Sequence, residues 1–417
     1  MSKAIRIDDL HTPRLDEVQR EALDQGEGLV VDLSVDGILE RARAQAGLDD
    51  FGPDDFRQRL ELLVDEWGSD PDIYGLHRQV LHDYLVRYAS NRLLIQDQWR
   101  RHPEILNEEI RRPIIVAGLP RSGTTHLVNL LAADERLHSL PLWEACEPVP
   151  RPGEVATGDA GDPRHQRCAE AWEGMQATMP LLAAMHPMDP DHIHEELELM
   201  GPDFASYNFE WLSPSPRWRD HYLATDQTPH YEYLRDVLKL LQWRRGPGRW
   251  VLKCPQHLEQ LSVLRKVFPD ATVAITHRDP VAVIQSAVTM LAYGDRMRRR
   301  RIDAQRLIDY WTDRVEQLLR ACVRDRSVWP EEQSIDVLFH EFMADDLAMV
   351  ERIHQRAGLA TTAEAREQLA RYMAANPRGS QGRMVYDLKG DFGVDPAELR
   401  ERFAFYFEQF PVRPEVQ

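Results

Sequence analysis

The sequence predicts an α/β fold: a central parallel sheet between helical layers, preceded by a helical N-terminal region. Three observations carry this. Short apolar runs at Pro113–Ala117, Trp250–Leu252, Ala271–Thr276 and Ser334–Phe339 read as strands buried on both faces. Helical periodicity follows the first three. Strands alternating with helices imply parallel pairing through right-handed crossovers.

The elements follow in order along the 417 residues. Residues 1–112 read as a helical region. Leu39, Ala42 and Ala46 recur at helical spacing. Phe56, Leu60, Leu63 and Val64 form a second stripe, and Leu76, Val80, Leu81, Tyr84 and Leu85 a third. Pro53 and Pro71 punctuate them. Residues 113–417 form the second unit. The strand at 113–117 runs into Gly118–Thr125 and then a helix with Leu127, Val128, Leu130 and Leu131. The Pro- and Gly-rich stretch 147–165 is expected to be an exposed loop. Residues 166–245 are rich in Met, Trp, Tyr and His, with weak helical periodicity. A helix through Leu258, Leu261, Leu264 and Val267 follows the second strand, and one from Val281 follows the third. Residues 345–375 read as helical, Asn376–Gly393 as loop and Pro396–Phe410 as a closing helix. No internal repeat is visible.

Composition narrows the function. Lys plus Arg is 51 and Asp plus Glu 69, a formal charge of −18, which disfavours general binding to nucleic acid. A hydrophobic fraction of 43% and a charged fraction of 29% are ordinary for a globular chain. No stretch approaches the ~18 apolar residues of a membrane span, and the first residues hold no apolar signal core. Four scattered cysteines without a CxxC pair fit neither a disulfide framework nor a zinc knuckle, and suit a cytoplasmic protein.

The loop Gly118-Leu-Pro-Arg-Ser-Gly-Thr-Thr125 has the outline G-x-x-x-x-G-x-[ST]. Backbone N–H groups of such a loop wrap a phosphate, and the following helix presents its positive end. The bland alternative is a Gly turn. Nucleoside triphosphatases carry Lys after the second Gly; here that position is Thr124, and the only cation in the loop is Arg121. The expectation is a P-loop-like three-layer fold for a nucleotide with fewer 5′-phosphates and no obligatory metal.

Pro120–Thr125 (PRSGTT), directly after an apolar strand, resembles the 5′-phosphosulfate loop of the sulfotransferases that use 3′-phosphoadenosine 5′-phosphosulfate (PAPS). Two further motifs extend the resemblance: Arg278 with Ser286 eight residues on, and Trp250–His257 with Lys253 at a strand end. All three lie at the carboxyl ends of expected strands, the ligand-binding edge of open α/β sheets. The resemblance covers roughly residues 110–410. The helices before it, with GLDDFG at Gly47–Gly52, look like those of bacterial members.

The resemblance implies a PAPS-dependent transferase that moves a sulfuryl group to a hydroxyl of a small, largely apolar acceptor and releases adenosine 3′,5′-bisphosphate (PAP). Pro120, Arg121, Ser122, Gly123, Thr124 and Thr125 would hold the 5′ end, and Arg278 and Ser286 the 3′-phosphate. His126 would stack on adenine, or else be a helix-face histidine. Arg121 and Lys253 would stabilise charge on the leaving oxygen. Arg378 and Gly379 match a family Arg-Lys-Gly whose Lys is missing, and Arg383 could replace that charge.

His257, four residues after Lys253, is the first expectation for the general base; Glu195 and Glu196 in His192–Met200 are the others. The bland readings are a solvated acidic helix face there, a Lys253 that snorkels to solvent, and an Arg278 paired with Asp279. Arg296 and Arg298–Arg301 form a basic run, read as a solvated face or a site for an anionic acceptor or the nucleotide's phosphate. Met175–Trp218 reads as acceptor-pocket wall or plain core. A nucleotide kinase or triphosphatase, with Asp336 as a poor metal ligand, and a non-catalytic nucleotide-binding protein are the rivals. The expected partner is a small-molecule acceptor, with a homodimer left open.

Overall fold

A computed structural model of the protein describes residues 3–155 and 161–416. Residues 156–160 of the loop expected at 147–165 lie outside them. The strands are β1 (Ala4–Arg6), β2 (Ile114–Gly118), β3 (Leu137–His138), β4 (Arg249–Cys254), β5 (Thr272–His277), β6 (Ser334–Leu338) and β7 (Arg383–Val385). Five of them make a parallel sheet in the order β3-β4-β2-β5-β6.

The central strand shows why its apolar run is unbroken. Successive side chains point to opposite faces. Ile114 and Val116 enter a core with Leu127, Leu131, Val350 and Ile353, from helices Thr124–Ala132 and Asp346–Arg356. Ile115 and Ala117 enter a second core, with Val283 and Ile284 of helix Pro280–Arg298 and Val315 and Leu318 of helix Ala304–Asp325. The sheet is the middle of three layers, as the sequence predicts. The helices Val35–Ala46, Phe56–Ser69 and Gly75–Arg101 match the three apolar stripes. Ile38, Leu60 and Leu85 share the core of Ile115, so the N-terminal region packs onto the sheet layer rather than standing apart.

Some expectations on the periphery are corrected. The stretch 345–375 is two helices, Asp346–Arg356 and Ala363–Ala375, separated near Gly358, whose φ of +66° suits glycine. Phe403 splits the closing helix into Pro396–Arg402 and Ala404–Gln409. Asn376–Gly393 holds β7 and a short helix, Leu388–Phe392, and β7 pairs in parallel with β1, Ile5 opposite Met384. The start of the loop expected to be exposed, including Glu147 and Val149, is buried.

Registers bring the three motif-bearing strand ends to one edge. Val116 pairs with Lys253, Ala117 with Cys254, and Gly118 with Thr276. The chain leaving each strand therefore starts within one or two rungs of the others.

Candidate active site

The loop after β2 is shaped by close backbone approach. A Cβ on Gly118 would lie 1.8 Å from Thr276 Oγ1, so only glycine fits there. Gly123 has φ +84° and opens helix Thr124–Ala132. Arg121 takes φ +66°, a conformation that strains a non-glycine residue and turns its side chain out of the loop. Pro120 is buried beneath. Ser122 is committed to the scaffold: its hydroxyl donates to Leu119 O (2.5 Å) and meets Thr276 Oγ1 (2.7 Å). The Ser122 hydroxyl is thus tied to the protein itself.

Arg121 joins two motifs. Its Nε donates to Ser286 Oγ (3.1 Å) and its Nη1 to Met185 O (2.7 Å). Its carbonyl accepts from Arg278 Nη1 (2.6 Å). Arg121, Arg278 and Ser286 are therefore joined in one hydrogen-bonded cluster. Ser286 also donates to Tyr386 OH (2.9 Å). Arg278 does not pair with Asp279, which caps helix Pro280–Arg298 through Val281 N. Its Nε and Nη2 instead hold the Glu415 carboxylate (2.9 and 2.7 Å), and its guanidinium lies 4.0 Å from the centre of the Phe339 ring. Asp279 accepts the Glu415 backbone N–H (2.7 Å), so the chain end is tied beside Arg278.

At the other end of the loop, His126 Nε2 lies 2.7 Å from Asp346 Oδ2, and Arg378 pairs with the same carboxylate. Arg378 also donates to Met343 O (3.0 Å). Gly379 follows with φ +71°, exposed. Arg383 lies on β7, exposed, with no side-chain partner among the described residues. Segment 378–386 thus runs from the His126 side to Ser286.

Lys253 does not snorkel: it is 1% exposed. Its ammonium forms an ion pair with Glu195 and donates to Thr125 Oγ1 (3.3 Å). The acidic pair is not a solvated face either: Glu195 and Glu196 are buried. The helix there covers only Leu197–Met200, while Ile193 makes a bridge to Pro141. Glu196 Oε2 accepts the Lys253 backbone N–H (2.9 Å). Its other oxygen lies 3.7 Å from His257 Nε2, and neither atom has a hydrogen-bond partner among the described residues. Tyr231 OH holds His257 Nδ1 (3.0 Å). Burial raises the Glu195 carboxyl against the opposing pull of Lys253.

A cavity of about 150 Å³ opens beside this pair. Arg121, Thr124, Thr125, Glu195, His186 and His194 are among its polar lining. Met175, Met179, Met188, Trp211 and Leu212 form apolar wall, whereas Phe204, Phe209 and Trp218 are core, so the aromatic stretch serves both uses. His257 does not reach the cavity; Glu195 does. Sequence reasoning overlooked His186, Tyr386, Asp346 and Glu415. A signal existed only for His186 and His194, in the histidine-rich run around 186–194.

Asp336, the candidate metal ligand, is occupied by His277 (2.9 Å) and Arg326 (2.8 Å). Among the described residues no group of His, Cys, Asp and Glu is arranged to hold a metal ion, and no helix is long and apolar enough to cross a membrane.

Residues 113–363 match the model of the sulfotransferase family. The chain belongs to that family. Sulfotransferase STF1 of Mycobacterium tuberculosis H37Rv is 29% identical, with a TM-score of 0.78 over 89% of this chain and 98% of that one. Sulfotransferase STF9 of Mycobacterium avium is 25% identical, with a TM-score of 0.82 over 93% and 100%. No curated protein matches significantly. The family supplies the class of chemistry, sulfuryl transfer, and the α/β fold expected from the sequence is that of these neighbours.

Burial also sets the pH response of this sulfotransferase. Desolvation pushes the His77 and His186 imidazoles down to about 3, with Arg298 adding to the effect at His77 and Arg121 at His186. In the unfolded chain they protonate near pH 6.5. Between those values the unfolded state binds more protons, so stability falls as pH drops below about 6.5. At pH 5 each histidine is expected to remove about 2 kcal/mol. The urea midpoint should be lower at pH 5 than at pH 7, with a smaller drop in His186→Gln; equal drops would contradict this assignment.

Proposed function

We propose that the protein transfers a sulfuryl group from PAPS to a hydroxyl of a small, largely apolar acceptor. The observation that carries this is the cluster that joins the motifs: Arg278 donates to the Arg121 carbonyl at 2.6 Å while Arg121 Nε reaches Ser286 at 3.1 Å. A donor with phosphate at both ends of its nucleoside needs such cations on one groove. The fit is supported by the backbone cradle at Gly118–Thr125 and by the carboxylate that Arg278 already holds.

The bound donor supplies an activated sulfonate whose bridging oxygen leaves with the 5′-phosphate. The chain's own residues do the rest. Lys253, nine-tenths or more desolvated and beside Thr125, places positive charge where the leaving oxygen develops negative charge. Glu195 takes the acceptor's hydroxyl proton; it is the cavity-wall carboxylate that pairs with Lys253, whereas Glu198 is held by Arg87 and Tyr88, and the raised affinity of Glu195 for protons suits the task. The acceptor oxygen forms its bond to sulfur as the bond to the 5′-phosphate oxygen breaks, giving a sulfate ester and PAP. Glu196 acts from behind, fixing the backbone of Lys253, with His257 beside it. The apolar wall receives the acceptor's body.

Calorimetry tests the nucleotide half. Arg278→Ala should weaken PAP binding by about 1.5–3 kcal/mol. Glu415→Gln should tighten it by up to about fivefold, because the 3′-phosphate no longer displaces a partly exposed ion pair. Adenosine 5′-monophosphate, which lacks that phosphate, should show neither change. PAP affinity that ignores Arg278→Ala would remove Arg278 from the site. A thermal-shift comparison separates the triphosphatase rival: PAP should raise the melting temperature without magnesium, and ATP should do little.

A further inference from the structure

The basic run 296–301 divides in the structure. Arg296 pairs with Asp9 (2.9 Å), Arg299 with Asp70 (2.6 Å), Arg300 with Glu27 (2.8 Å) and Arg301 with Asp72 (2.8 Å). These four tie the end of helix Pro280–Arg298 and the residues after it to the N-terminal region. Arg298 has no carboxylate partner among the described residues. Its Nη1 donates to Trp211 O (3.1 Å), and its Nε and Nη2 have no acceptor among the described residues. Its side chain is half-buried on the wall of the cavity that Glu195 and Thr125 also line.

The helix explains the placement. Ser286, Met290, Gly294 and Arg298 follow one another at i, i+4 spacing, an inclined ridge on one side of the helix. The ridge starts at the Arg121 contact and continues along the cavity wall through Met290 and Gly294. Twelve residues at 1.5 Å per residue set Arg298 about 18 Å along the helix from Ser286. A Cβ on Gly294 would lie 3.2 Å from Arg298 Cζ, so glycine leaves the room in which the guanidinium lies across the helix. A last-turn arginine suits the helix dipole, but that does not explain why this one alone in the run faces the cavity. The Glu198 carboxylate on the same wall is already held by Arg87 (2.7 Å) and Tyr88 (3.0 Å), and the buried Asp295, one turn before Arg298, attracts it without an ion pair.

We propose that the acceptor is an elongated lipophilic carboxylate bearing a hydroxyl, and that Arg298 binds its carboxylate while the hydroxyl meets Glu195. The free Nε–Nη2 edge is the one that meets a planar carboxylate at two points. Met290 and Leu291, which line the cavity between the Arg121 contact and Arg298 along the helix, offer a hydrocarbon body its surface. This rests on the reading of the cavity as the acceptor side of sulfuryl transfer.

The test is calorimetric titration of the PAP-saturated protein with 12-hydroxydodecanoate and with dodecane-1,12-diol, which differ in charge at one end. The wild type should prefer the carboxylate by about tenfold or more. Arg298→Met should bring the two affinities to within about threefold, and Arg298→Lys should keep a clear preference; melting curves confirm that each variant is folded. Equal binding of the two ligands by the wild type, binding of neither, or a preference that survives Arg298→Met would overturn the proposal. If PAP itself fails to bind, the nucleotide reading falls. The same titrations on the protein alone would then still decide the role of Arg298.

Discussion

Lys253→Ala is expected to slow sulfuryl transfer by about 10²–10³-fold, the scale on which removing one preorganised charge partner raises a barrier. Lys253 is buried between Thr125 on the phosphate loop and Glu195 on the cavity wall, so no solvent cation replaces it. The substitution also strands Glu195 without its counter-ion. Breaking a buried pair from one side destabilises a fold by about 3–5 kcal/mol. The double variant Lys253→Met with Glu195→Gln removes that burden and reads the folding cost alone: it should regain stability, while the role in turnover is read from the single variants. PAP affinity should change far less than turnover, because the lysine serves the transferring group. Wild-type turnover in a folded Lys253→Ala protein would exclude the role.

The second large effect is at Glu195. Glu195→Gln should lower turnover by about 10²–10⁴-fold if this carboxylate takes the acceptor proton. It should also flatten the acid limb of the rate profile. Burial raises the Glu195 carboxyl, so wild-type activity should fade, as pH drops, sooner than an ordinary carboxylate would dictate. His257→Ala should cost less, since the imidazole lies behind Glu196 and away from the cavity. If His257→Ala is the crippled variant and Glu195→Gln keeps its acid limb, the two roles must be exchanged.

These two residues mark the boundary of what the sequence discloses. Strand ends and loop outlines are local: the apolar run at 113–117 and the glycines at 118 and 123 determine a strand and a cradle whatever surrounds them. Registers then carry Lys253 and Arg278 to the same edge, as the alternation of strands and helices implies. Direction is not local. His257 has the spacing of a base, but the short helical turn Pro255–Glu259 turns its ring toward Tyr231. The carboxylates of 195 and 196 stay open between a base and a charged helix face because nothing nearby in sequence reveals that the segment crosses over Lys253. Glu415 meets Arg278 from 137 residues away, and Tyr386 meets Ser286 from 100. Contacts at such separations leave no periodic trace. The strands β1 and β7, three residues each with an arginine at one end, carry no apolar run to read. The arginine run shows the same limit: five similar residues, of which four clamp the N-terminal region and one faces the cavity.

The most direct measurement is a crystal structure of the protein grown with PAP. The account predicts the 5′-phosphate on the backbone N–H groups of Gly118–Thr125, the 3′-phosphate on Arg278 and Ser286, and the Glu415 carboxylate displaced from Arg278. PAP bound elsewhere, or bound in the crevice with Glu415 still paired to Arg278 and the 3′-phosphate in solvent, would contradict it.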